Sequence, residues 1–159
     1  MEQIRIANIL KAVSVGAALA GAVFFCWYVP NVVDSIAFDY PEAAWLKWPG
    51  LAGIWGIGVL CYLALWEFWR ICTRIGKDNS FCQENARSMR HIGILAFLAL
   101  ALLMGGSVFL ICIHYMSGAF ALAAAFAMCI AGGIGIVCLA LSVLIKNAAK
   151  LKEENDLTI

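Results

Sequence analysis

Glu67 is the only acidic residue inside a long apolar stretch of this 159-residue sequence. An ionisable group at membrane depth marks a pathway or a site by default, but Glu67 stands one helical turn from a basic cluster. Arg70 follows at i+3 and Arg74 two turns on, so pairing with one of these guanidinium groups is the chemistry expected of it. A proton-coupled exporter needs an acid nearer the midplane, and the sequence has none. The seven cysteines, Cys26, Cys61, Cys72, Cys82, Cys112, Cys129 and Cys138, raise a redox reading. No two form C-x-x-C, and most lie in apolar runs where a thiol acts as a small hydrophobe. Cys72 and Cys82 are expected to face a reducing cytoplasm, and only a juxtamembrane position suggests palmitoylation of Cys72. His91 and His114 fall at opposite ends of one helix, about 33 Å apart, so they cannot share a metal ion within one chain. Met104, Met116 and Met128 read as packing residues. No catalytic residues, metal site or cofactor motif emerge, and the chain reads as non-enzymatic.

The elements that hold these residues follow from composition. The hydrophobic set makes up 64% of the chain and charged residues 13%, whereas a soluble domain is about 45–50% apolar and about 25% charged. A domain this small has too little interior for that excess. Lipid as the solvent resolves the conflict. Crossing a bilayer core takes about 20 mostly apolar residues, and four windows qualify, at about 12–29, 51–69, 92–113 and 120–145. In lipid the backbone must satisfy itself, so each is a helix. The expected fold is all-α, a single transmembrane domain forming an integral membrane four-helix bundle. The first window lacks an A-x-A-like cleavage site and reads as a retained span rather than a signal peptide.

Basic residues set the orientation. Arg5, Lys11, Arg70, Arg74, Lys77, Arg87, Arg90, Lys146, Lys150 and Lys152 fall on one side, and Lys47 alone on the other. The positive-inside rule then places both termini, the inner loop 70–91 and the tail 146–159 in the cytoplasm, with the loop 30–50 outside. A bacterial cytoplasmic (inner) membrane is the expected location. Trp27, Tyr28, Trp45 and Trp48 on the outer side, and Trp66 and Trp69 on the inner, suit the headgroup level. A short interfacial helix is expected around Val32–Phe38. The stretch His114–Gly118 reads as a tight turn that makes the third and fourth spans an antiparallel hairpin. Small residues four apart, including Gly16 and Ala20, Ala17 and Gly21, Ala52 and Gly56, and Ala131 and Gly135, suit close helix packing within a bundle, a homo-oligomer, or both.

The inner loop carries the most local organisation. Gly76 is suited to a left-handed C-cap that ends an extension of the second span. Ser80 with Gln83 reads as a capping box, Phe81 as the start of the next helix, and Glu84 as an acid at the positive end of its dipole. Phe81, Asn85, Ser88, Met89 and Ile92 then share one face at helical spacing, with Arg87 and Arg90 elsewhere. Helices 2 and 3 are therefore expected to extend into a cytoplasmic basic hairpin around 76–79. Arg74, Lys77, Phe81, Glu84, Asn85, Arg87 and Arg90 are the candidates for contact with a partner or with lipid headgroups. No DNA-reading motif accompanies the charges, so direct nucleic-acid binding is not expected.

The runs YPEAAWLKWPG (Tyr40–Gly50), Trp66–Arg70 and RIGKDNSFCQENARSMRHIGI (Arg74–Ile94) resemble the domain-of-unknown-function 2975 family of small bacterial four-span membrane proteins. The resemblance covers nearly the whole chain and is most specific at Gly76, Phe81, Glu84, Asn85, Arg90, Ile92 and Gly93. It supplies no catalytic residues. Genes of this family often neighbour one for a small helix-turn-helix regulator of the Cro/CI type, so the resemblance implies a membrane-linked regulatory pair. A small-molecule binder or transporter subunit using the bundle interior is the competing class, and an enzyme acting on lipid or quinone the third.

Overall fold

Only lipid outside the molecule can accommodate so many apolar side chains, and their placement follows from that. The computed structural model describes residues 2–77 and 82–156, and these are helical almost throughout, with no strand. The helices are α1 (Glu2–Val23), a π turn (Phe24–Tyr28), α2 (Val29–Asp39), a 3-10 turn (Pro41–Leu46), α3 (Lys47–Ile75), α4 (Gln83–Cys112) and α5 (Gly118–Asp156). Among the described residues four runs are long and apolar enough to cross a membrane: Ile4–Asp39, Pro41–Ile75, Gln83–Cys112 and Gly118–Lys152.

The first of these differs from expectation. Instead of ending at Trp27 and Tyr28, the helix passes through the π turn into α2, so the helix expected around Val32–Phe38 continues the first span. Pro30 explains the detour. A helical proline lacks an N–H and clashes with the carbonyl four residues back, and a wide turn just before it gives the ring room. Within this turn the Val29 N–H donates to the Phe24 carbonyl, and the same pattern one residue on would need an N–H that Pro30 lacks. The Phe25 carbonyl that this leaves accepts the Trp55 indole N–H of α3 at 3.1 Å, and the Phe25 ring packs on Gly58. A donor from a neighbouring helix is how a broken helix is tolerated in lipid.

The turn at 113–117 forms as the sequence predicts. Tyr115 N–H reaches the Leu110 carbonyl at 3.1 Å and His114 N–H the Ile111 carbonyl at 3.0 Å. This is a Schellman arrangement in which His114, at φ 61°, stands where glycine is usual. Ser117 then caps α5 by accepting the Phe120 N–H at 3.2 Å.

The long helices pack in chain order as an open row: α1 on α3, α3 on α4, and α4 on α5. Among the described residues α1 touches neither α4 nor α5. Side-chain size is sorted in the sense opposite to a soluble core. Ala7, Ala86, Ala99, Ala124 and Ala149 are buried with Ser14, Ser88, Ser107 and Ser142, while Leu19, Leu63, Leu122, Phe126, Ile136 and Leu144 are exposed. Small residues inside and large ones facing outward is what packing in lipid selects, since burying leucine there yields no hydrophobic gain. The closest approach is α4 on α5. A Cβ at Gly93 would lie 2.9 Å from Leu139, and one at Gly135 would lie 2.9 Å from the Phe97 ring. Of the small pairs read in the sequence, Gly21, Gly56 and Gly135 face a neighbouring helix, whereas Gly16 faces open space.

Candidate functional site

The basic end of the row holds the two largest fully buried side chains, Cys72 and Asn85. Ala7, Ile71, Cys82, Ser88, Ile92 and Ala149 are buried as well.

Two of the expected local details differ. Gly76 does follow the end of α3, but at φ −64° it is right-handed rather than left-handed. The helix there closes instead through the Gly76 N–H to the Cys72 carbonyl at 3.2 Å and the Lys77 N–H to the Arg74 carbonyl at 3.0 Å. A Cβ on Gly76 would lie 3.3 Å from that of Ala7, so close approach of α1 is what the glycine permits. The residue before α4 is Cys82, extended at φ −131° and ψ 155°, with no side-chain cap. The helix therefore opens at Gln83, later than the capping box required. Ser80 and Phe81 lie outside the described residues. Glu84 is exposed in the first turn of α4, as read from the sequence.

The polar residues of α3 and α4 form a seam. On α3 they are Glu67, Arg70 and Arg74, and on α4 Asn85, Ser88 and His91, each set spaced by helical turns. Arg74 Nη1 donates to Asn85 Oδ1 at 3.3 Å and to Ser88 Oγ at 3.1 Å. Glu67 Oε1 meets Arg70 Nη1 at 3.4 Å and His91 Nδ1 at 3.3 Å. The other oxygen, Oε2, is buried with no hydrogen-bond donor on it. On α4's far side, Ser142 Oγ of α5 donates to the Ala86 carbonyl at 2.7 Å, and on α1 the Lys11 ammonium stands 5.5 Å over the Trp69 ring.

The expected pairing of Glu67 with Arg70 is present, but Arg74 turns to α4 instead. His91 is the partner missed in the sequence. The antiparallel register could have signalled it, because a short connection after Arg74 brings the first turns of α4 back past Glu67. Asn85, Ser88 and Ile92 share the buried face as read, with Met89 half-buried at its edge, and Arg87 and Arg90 are exposed. Lys77 is exposed at the tip of α3. The candidate residues are thus separated by the structure: Arg74 and Asn85 tie helices together, while Lys77, Glu84, Arg87 and Arg90 are open to contact. Cys72 is fully buried, which removes it from lipidation. Among the described residues no group of histidine, cysteine and acidic side chains could hold a metal ion.

An all-helical chain with four membrane-length helices, small residues between them and large apolar ones outside is a multi-pass membrane protein. Its family is shown by comparison: residues 31–159 match the model described as "Protein of unknown function (DUF2975)", and the chain belongs to that family. No curated protein and no solved structure matches it. Of the positions on which the sequence resemblance rested, Gly76, Asn85, Ile92 and Gly93 act in packing, while Glu84 and Arg90 lie on the surface.

Proposed function

We propose that this chain is a non-enzymatic protein of the bacterial cytoplasmic membrane, with both termini in the cytosol, that holds or regulates a small cytosolic helix-turn-helix regulator at its basic end. The observation that carries the reading is the split within the loop region. Arg74 and Asn85 build a closed seam, and Lys77 is left exposed at its tip, with Lys146, Lys150 and Lys152 exposed along the end of α5. A buried polar seam holds a surface in one geometry, and a basic surface set on rigid helices suits an acidic face on a protein partner. The partner's class comes from the family resemblance, and the orientation from the distribution of Lys and Arg.

The test is affinity purification of the full chain from native membranes. A small helix-turn-helix protein should co-purify and be lost when Lys77 and Lys150 are both changed to glutamate. Recovery of the same proteins from wild type and from the Lys77→Glu/Lys150→Glu variant would overturn the reading.

A further inference from the structure

Several basic side chains lie within about one turn of a common level of the helix row, short of its tip. Lys11 lies over the Trp69 ring, which puts α1 and α3 in register there. Glu67 binds both Arg70 of its own helix and His91 of α4, which puts α3 and α4 in register at the same height. Arg90 stands beside His91, and Arg87 one turn nearer the tip, at the level where Arg74 meets Asn85 and Ser88; both are exposed. Neither reaches a carboxylate within ion-pair distance among the described residues. Trp66, at 66% exposure, and Trp69 lie at this level or a turn inside it.

A second belt lies at the other end of α3. Lys47 stands 5.6 Å from the Trp48 ring and 2.7 Å from Asp34 of α2, with Trp45 and Trp48 exposed. From Trp48 to Trp69 the helix rises about 32 Å, which matches a hydrocarbon core of about 30 Å. The two belts therefore mark the two headgroup levels. Lys77 and Lys150 lie beyond the inner one: Lys77 is about 10 Å further along the rise from Arg70. Lys150 stands two turns past Ser142, which is bonded to Ala86.

We infer that Lys11, Arg70, Arg87 and Arg90 form a belt that selects anionic phospholipid headgroups, with Trp66 and Trp69 at the boundary of the acyl chains. The chemistry is a phosphate-bearing, net-negative headgroup against unpaired or half-exposed cations held at fixed height. This assigns Arg87 and Arg90 to lipid and leaves the more distal Lys77 and Lys150 to a protein partner. The lipid preference holds whichever leaflet the basic end meets, so it stands or falls separately from the proposed partner.

The test measures lipid retained by the full-length chain from mixed micelles of phosphatidylglycerol and phosphatidylcholine, by native mass spectrometry. Wild type should retain phosphatidylglycerol preferentially. The Arg87→Gln/Arg90→Gln variant should lower that preference about five-fold for each charge removed, the equivalent of ~1 kcal/mol per basic residue near an anionic surface. The Lys77→Gln/Lys150→Gln variant removes the same charge beyond the belt and should leave the preference unchanged. No preference in wild type, or an equal loss in both variants, overturns the inference. Should the arginine variant misfold, the wild-type preference must still collapse as ionic strength rises to about 0.5 M, and a salt-independent preference counts equally against it.

Discussion

Asn85 is only 1% exposed, an unusual place for an amide unless its hydrogen bonds are met. It accepts from Arg74, which also donates to Ser88, so both amide and guanidinium are anchored by one contact set. Replacing the amide leaves a half-buried cation short of an acceptor, at a cost of about 2 kcal/mol. Asn85→Ala should lower the free energy of unfolding in detergent by that amount, whereas Arg87→Ala on the exposed face should change it by less than about 0.5 kcal/mol. Similar values for the two would mean that the seam does not hold α3 to α4. Much of this seam was legible in the sequence, because Asn85, Ser88 and Ile92 recur at helical spacing. The direction taken by Arg74 was not, since i+7 and cross-helix partners compete and only the register of the hairpin decides between them. The pairing of His91 with Glu67 stayed hidden for the same reason.

At the scale of the helix, the break at Pro30 and its repair by Trp55 form one unit. Trp55→Phe keeps the ring but removes the donor to the Phe25 carbonyl, and should cost about 1 kcal/mol. In a Pro30→Ala background the restored backbone N–H can take that carbonyl, so the same substitution should cost less. A double-mutant cycle reads this coupling directly, and an identical cost in both backgrounds would break the link between the proline and the indole. On α4, Gly93→Ala should separate α4 from α5 at a cost of about 1–3 kcal/mol, while Gly105→Ala, which meets open space, should be neutral or stabilising. Four apolar windows were readable because lipid demands length and composition. The continuation of the first helix past Tyr28 was not. Proline and two aromatic rings look like a helix end until a wide turn and a donor from another helix are both supplied. The start of α4 is a similar case: the sequence places it at Phe81, whereas Cys82 takes an extended conformation and α4 begins at Gln83.

Across the whole molecule, the open row of helices and the outward sorting of large side chains describe a protein whose solvent changes along its length. Through the lipid, small residues set helix spacing. At the basic end Ala7, Cys72, Asn85 and Ala149 are buried. The proposed function depends centrally on that end lying in the cytosol, because only there can a cytosolic partner meet the tip lysines. The most direct measurement is labelling of single cysteines in a cysteine-free background, using a membrane-impermeant thiol reagent on sealed cells. Glu42→Cys and Ser117→Cys should label at once, and Lys77→Cys and Lys150→Cys only after the membrane is permeabilised. Prompt labelling at Lys77→Cys with protection at Glu42→Cys would contradict the account.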